Sequence, residues 1–226
     1  ESSAASDVYK RQDKKELHFF DEDRIFEKKN PNYSKYHKHF SPNEHSQVIG
    51  EATPIYMYWN KSIERIHEYN PKIKLIIILR NPIDRAFSHW NMERDKGRES
   101  RTFLKAILDE ESKINSRNYS QNKILSYLDR GYYSKQIKNI YNYFNKNQLL
   151  ILRSEDLRKN PDSTLMNVAD FLSIPPFNPV DHKEVNSRSY PRKMSDDEYT
   201  LLSAFYEEEL SSLEHILGWD LSSWNK

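Results

Sequence analysis

KLIIILRNPIDRAFSHW, residues 74–90, sets the class of the fold. After Lys74, residues 75–79 form a continuous apolar run rich in Ile, the pattern of a strand buried on both faces as in a parallel sheet. Arg80 ends the run and Asn81-Pro82 turns the chain. Ile83, Ala86, Phe87 and Trp90 then recur at i, i+3, i+4 and i+7, so a helix packs its apolar face back onto the sheet. Strand, short turn and helix in succession argue for an α/β layer fold.

Toward the C-terminus, QLLILR at 148–153 repeats the buried-strand signature. Helices fit Arg101 to Ser116 and Lys123 to Phe144, the latter carrying Ile124, Leu128, Tyr132, Ile137, Ile140, Tyr141 and Phe144. Asn160-Pro161 opens a helix to about Leu172, and a Pro-rich loop, PPFNP at 175–179, follows. The last helix is expected from Ser195 to Leu217, with Ser195 and Glu198 spaced as a capping box and Gly218 as its stop. Toward the N-terminus, SQVIGEATPIYMYW gives a strand at about 47–50 and a helix begun by Thr53-Pro54 and ended by Pro71. Residues 14–45 read as a short strand, a loop and one or two helical turns. ESSAASDVYKRQ, residues 1–12, has no apolar period and is set aside as a non-native or disordered leader, leaving 13–226 as a single domain. The expected architecture is three-layer α/β/α around a mainly parallel sheet. Two or three strands are visible where about five or six are usual, so part of the sheet is expected upstream of residue 1.

The chain has 226 residues and a formal net charge of +1, so no global charge drives it toward nucleic acid or an anionic membrane, and any anion must be held locally. With no cysteine, disulfides, thiolate zinc sites and cysteine nucleophiles are excluded. No apolar run reaches the roughly 20 residues of a membrane span, and the expected location is cytoplasmic, in a bacterium by the Lys, Asn, Ile and Tyr content. The 4 glycines, Gly50, Gly97, Gly131 and Gly218, are too far apart for a Walker loop or a Gly-x-Gly-x-x-Gly turn. A P-loop kinase is thereby disfavoured. His37, His39 and His45 have no evident carboxylate partner and read as solvated surface, so no metal is expected.

In open α/β sheets ligands bind beyond the carboxyl ends of strands, where Arg80 stands. Its guanidinium is always ionised and forked to suit phosphate, and the helix that follows presents free amides and the positive end of its dipole. Ser88, further along that helix, adds a hydroxyl. The alternative on spacing alone is that Arg80 pairs with Asp84 and Ser88 is a small packing residue. In KKELHFF, residues 14–20, Glu16 and His18 lie two apart, hence on one face if the segment is extended.

KLIIILRNPIDRAFSHW resembles the 3′-phosphate-binding segment of the sulfotransferases that use 3′-phosphoadenosine 5′-phosphosulfate (PAPS), particularly the bacterial and heparan-sulfate-like branch. KKELHFF, GEATPIY at 50–56, YLDRGYY at 127–133, LLILRSEDL at 149–157 and FLSIP at 171–175 fall in the family's order. The resemblance implies a sulfotransferase fold, Arg80 and Ser88 on the ribose 3′-phosphate, Glu16 as general base and His18 in support on the acceptor side. It further implies Tyr132 near the nucleotide, and Lys183, Asn186, Arg188, Tyr190 and Arg192 in a basic loop that closes over it. Two departures stand out. Ala52 occupies a place where heparan-type members have Lys, which argues against a heparan-like acceptor. Nothing matches the family's Lys-x-Gly-Thr-Thr-like loop around the 5′-phosphosulfate, whose amides and Lys offset charge on the leaving phosphate. The reading is therefore an N-terminally truncated sulfotransferase domain using PAPS, with a glycan, lipid or small-metabolite acceptor and no metal. The alternative is a catalytically impaired fragment that only binds adenosine 3′,5′-bisphosphate.

Overall fold

The computed structural model describes residues 9–11, 13–27, 30–177 and 190–225; Lys183, Asn186 and Arg188 lie outside them. In chain order the elements are β1 (Tyr9–Arg11), α1 (Asp23–Phe26), α2 (Tyr33–His37), β2 (Val48–Gly50), α3 (Ile55–Tyr58), α4 (Ser62–Tyr69), β3 (Leu75–Leu79) and α5 (Pro82–Asp95). There follow α6 (Phe103–Ile114), a 3₁₀ turn at Asp129–Gly131, α7 (Tyr133–Tyr141), β4 (Leu149–Arg153), α8 (Ser154–Lys159), α9 (Pro161–Leu172) and α10 (Asp196–Leu217). The chain divides into two compact units, Glu1–Leu79 with Ile140–Lys183, and Arg80–Asn139 with Glu184–Lys226. No described helix is long and apolar enough to cross a membrane.

All four described strands belong to the first unit, and both of their pairings are parallel. β3 pairs with β4 from Leu75 opposite Leu149 to Leu79 opposite Arg153. β1 pairs with β2, so residues 9–11, set aside in the sequence reading, enter a ladder. Where one central sheet was expected, the ladders form two two-stranded sheets. β3 also departs from the double-sided burial its composition suggests. Leu75 and Ile77 pack toward a core of Phe19, Phe20, Tyr36, Ile55, Tyr56 and Ile63, whereas Ile76 and Ile78 on the opposite face are 39% and 51% exposed. A continuous apolar run cannot itself say how many of its faces are covered.

KELHFF is the second departure, an irregular segment in place of a strand. Its amides find side chains instead of a neighbouring ladder: Leu17 N–H donates to Thr53 Oγ1 (3.1 Å), and those of Phe19 and Phe20 donate to the Tyr56 hydroxyl (2.9 and 3.4 Å). Thr53, expected as a helix cap, is thus engaged elsewhere, and α3 has no side-chain cap. The helix expected through residue 69 is two, because Trp59 closes α3 with an extended backbone before α4 begins.

In the second unit, Asn81 caps α5 through the Ile83 amide (2.9 Å) and donates its own amide to the Trp224 carbonyl (2.9 Å). Thr102 caps α6. The single helix expected over 123–144 is interrupted because buried Glu110, on α6, accepts the amides of Tyr127, Leu128 and Asp129 at 2.6, 2.7 and 2.9 Å. Amides held by a carboxylate cannot serve an i−4 ladder, so regular α-helix begins only at Tyr133. α10 starts with the expected capping box at Ser195 and Glu198 and stops at Gly218, whose φ is +66°.

Gly131 has a packing reason. A Cβ there would lie 2.2 Å from the hydroxyl oxygen of Tyr206, a fully buried ring whose O–H donates to the Leu128 carbonyl (2.8 Å). Gly131→Ala should therefore cost about 1–3 kcal/mol, as overpacking does, and lower the melting temperature by roughly 2–4 °C per kcal/mol in a chain of this length. Differential scanning calorimetry reads the shift, and an unchanged transition would mean that Tyr206 yields freely.

Candidate active site

In the first unit the sequence-predicted pair is in contact. His18 Nε2 lies 3.3 Å from Glu16 Oε2, and its Nδ1 lies 3.2 Å from Asp21 Oδ1. The imidazole therefore bridges two carboxylates. Asp21 is 2% exposed, while Glu16 and His18 remain 36% and 50% exposed, so the bridge is anchored at one end and open to solvent at the other. Sequence reading missed Asp21; the signal was an acid three residues beyond His18, legible only if the segment turns. It does turn, because His18 has φ +54°. Below it, Arg65 and Ser62 of α4 donate to the Phe20 carbonyl (2.8 and 3.3 Å), and Arg65 also holds Asp23 at 2.6 Å.

Glu51 lies under the same turn. Both of its carboxylate oxygens are buried without a completed hydrogen bond, although the hydroxyls of Tyr56 and Tyr36 face it. Burial pushes its pKa up and Asp21 adds to the rise, while the two phenols and His18 oppose it.

In the second unit Arg80 leads into α5. Its Nε is buried and finds no acceptor among the described residues, while its carbonyl accepts from the Tyr133 hydroxyl (3.0 Å). Asp84 makes no ion pair with it among the described residues. Ser88 and Tyr190 come together, the phenol donating to Ser88 Oγ at 2.8 Å with its ring edge-on to Phe87 (5.6 Å).

Arg192 is employed within this unit. Its guanidinium reaches both oxygens of Glu198 at 2.6 Å each and lies over the rings of Phe87 (5.2 Å) and Trp90 (5.1 Å). Tyr132 lines a cavity of about 360 Å³ with Glu111, Glu208 and Glu209, surroundings that repel a polyanion. Burial, with Asp129 and Glu209, pushes its pKa up to about 12, and its ring packs on Tyr206 at 5.5 Å. No group of side chains among the described residues is arranged to hold a metal ion.

The family described as the sulfotransferase domain matches residues 61–215. The chain belongs to the sulfotransferase family. This sulfotransferase chain is 30% identical over 166 residues to mouse heparan sulfate glucosamine 3-O-sulfotransferase 5, covering 71% of the chain and 45% of that protein. It is 30% identical over 210 residues to human bifunctional heparan sulfate N-deacetylase/N-sulfotransferase 3, covering 80% of the chain and 24% of that protein. It thus spans less than half the length of these relatives. The structure of a sulfotransferase from Alicyclobacillus acidocaldarius superposes with a TM-score of 0.77 at 23% identity, over 100% of this chain and 94% of the other, which supports the α/β sulfotransferase fold.

Arg192 in this sulfotransferase chain yields a pH-dependent prediction. Burial raises the Glu198 pKa, but Arg192 and the Ser195 amide outweigh it, leaving the carboxyl below its usual range. A depressed carboxylate pKa contributes stability above the unfolded value that is lost as pH falls through the folded one. Arg192→Ala should lower stability by about 1–2 kcal/mol at pH 7, given the partial exposure of the arginine. The deficit should shrink below about pH 4 as Glu198 protonates in both proteins. Urea titrations at the two pH values measure it, and a deficit unchanged with pH would assign the loss to ring stacking alone.

Proposed function

We propose that this protein transfers a sulfuryl group from PAPS to a hydroxyl or amine of a carbohydrate, lipid or small metabolite. Glu16 is the general base, His18 its partner, and Arg80 with Ser88 the holders of the donor's 3′-phosphate. The observation that carries this reading is the Glu16–His18–Asp21 bridge, a base whose orientation is fixed from a buried anchor and whose working end is open to solvent. Glycan acceptors are favoured by the names of the relatives, which act on heparan sulfate.

The 3′-phosphate end of the donor fits the residues present, while no residues matching the family's 5′-phosphosulfate loop stand in the sequence. A buried guanidinium nitrogen without an acceptor has an unfulfilled donor, and a phosphate oxygen satisfies it with a charge-assisted bond. The α5 N-terminus behind it contributes its dipole, and the Ser88 hydroxyl, already paired with Tyr190, offers a further donor. PAPS, when bound, supplies a sulfuryl group whose transfer releases adenosine 3′,5′-bisphosphate. At the acceptor, Glu16 takes the proton of the attacking O–H or N–H as the new bond to sulfur forms. With the His18 ring protonated, both nitrogens donate, one to each carboxylate; with the ring neutral, one of the two contacts is lost. The imidazole thereby sets the direction of Glu16 and offsets charge between it and Asp21.

Two substitutions separate binding from chemistry. Arg80→Ala should weaken adenosine 3′,5′-bisphosphate binding at least about tenfold in calorimetry, the loss of one charge-assisted contact. Glu16→Gln should leave that affinity unchanged and slow transfer of labelled sulfate by about 10²–10⁴-fold. Bisphosphate binding with no transfer by the unaltered protein would support a binding fragment in place of the enzyme. Loss of affinity in Glu16→Gln, or none in Arg80→Ala, would refute the assigned roles.

A further inference from the structure

The left-handed His18 turn is held by side chains that lie outside it. The amide that precedes His18, on Leu17, donates to Thr53 Oγ1; the amide that follows it, on Phe19, donates to the Tyr56 hydroxyl, with the Phe20 amide more distant at 3.4 Å. Thr53 and Tyr56 are both buried; Thr53 stands in the short stretch between β2 and α3, and Tyr56 in the first turn of α3. A non-glycine residue at φ +54° is disfavoured and persists only where its surroundings over-determine it. Here the over-determination is a pair of hydroxyl oxygens fixing the backbone on both sides of a single residue.

The direction of the Tyr56 proton matters to this arrangement. An oxygen that accepts from amides must point its own proton elsewhere, and the buried Glu51 carboxyl faces it. Burial first, and then the charge of Glu51, push the phenol's pKa up, so it stays protonated and the oxygen stays available as an acceptor. Neither Thr53 nor Tyr56 touches Glu16 or His18 through its hydroxyl. Their leverage is on the peptide units that aim those two side chains.

We propose that Thr53 and Tyr56 are positioning residues for sulfuryl transfer, holding the amides of Leu17 and Phe19 so that His18 keeps the left-handed turn that spans Glu16 and Asp21. This rests on the reading of Glu16 and His18 as the base and its partner. Removal of either hydroxyl frees an amide, lets the turn relax toward ordinary backbone angles and swings the imidazole off Glu16. Misplacement of this kind acts on the rate of transfer and leaves the nucleotide alone.

Thr53→Val, Thr53→Ser and Tyr56→Phe test the idea in the full chain, each alone and combined with Glu16→Gln. The first readout is the His18 ring signal in NMR of histidine-labelled protein, which requires no turnover. Glu16→Gln should move that signal in the unaltered chain and should not move it in Tyr56→Phe or Thr53→Val, while Thr53→Ser should restore the response. A response that survives in Tyr56→Phe and Thr53→Val overturns this inference and leaves the base assignment standing. No response even in the unaltered chain removes the Glu16–His18 contact, and the base reading falls together with the inference. The second readout is transfer of labelled sulfate from PAPS to whichever member of a glycan panel, de-N-sulfated heparan sulfate included, the unaltered chain sulfates. There kcat should fall about 10- to 100-fold in Tyr56→Phe and Thr53→Val with KM for PAPS unchanged. Thr53→Ser should transfer as the unaltered chain does, and the loss should vanish in the Glu16→Gln background. A lowered melting temperature with kcat intact would mark the two hydroxyls as structural only and overturn the inference.

Discussion

Buried backbone amides outside regular elements must find acceptors, and in this protein side chains provide them. The clearest case is the Glu110 carboxylate, which takes three successive amides at Tyr127, Leu128 and Asp129. Glu209 does the same for Ser134, accepting both its amide and its hydroxyl at 2.7 and 2.6 Å, and Glu214 accepts the Leu221 amide at 2.7 Å. Burial alone would raise the proton affinity of such carboxylates, and the amides oppose that rise by stabilising the anion. Removing the acceptor would strand donors in the interior, a larger loss than the net worth of the bonds themselves. A chain with 4 glycines in 226 residues has few positions where backbone freedom can shape a turn, and acceptor side chains do that work instead.

The same constraint shapes the electrostatics. The chain is nearly neutral overall, yet several of its acids are committed to the fold: Glu110 and Glu209 to amides, Glu99 to Arg101 and the Tyr127 hydroxyl, Glu198 to Arg192. Arg80 Nε, like Arg85 Nε, is buried without an acceptor among the described residues, and it stands just ahead of the α5 cap. A guanidinium nitrogen in that condition is costly unless an anion completes it, so the local field at the start of α5 matters more to anion binding than the net charge of +1 does.

Much of the fold was legible wherever the deciding forces are local. The Ile-rich strand, the Asn81 turn, the 3.6-residue periodicity of α5 and the Ser195–Glu198 box with Gly218 at the other end of α10 all stand where periodicity and capping chemistry put them. The misses share one cause, contacts between residues far apart in sequence. The 123–144 segment has helical periodicity, but Glu110 competes for its amides from α6. KELHFF has the composition of a strand, but Thr53 and Tyr56 accept from it where a ladder would. Of the candidate site, Glu16 and His18 were legible as neighbours; the Ser88–Tyr190 contact was not, because it joins residues 102 apart in sequence, nor was Asp21, because its place depends on a turn that composition conceals.

That turn can be weighed against the other left-handed non-glycine residue described. Ser173 has φ +61° and ends α9, where a left-handed residue is the common stop and its neighbour Ile174 donates back to Ala169 at 3.0 Å. His18 ends no helix and closes no hairpin. Glycine or asparagine would occupy its backbone angles at lower cost, about 1 kcal/mol or more by the usual scale of such strain. A β-carbon kept there against that preference points to the side chain as the reason. The imidazole is the group that spans a buried aspartate and a partly exposed glutamate, with one ring nitrogen toward each. Backbone strain at His18 and the bridge made by its ring are thus two sides of one arrangement, in which the fold accepts an unfavourable φ so that a carboxylate is aimed from the surface.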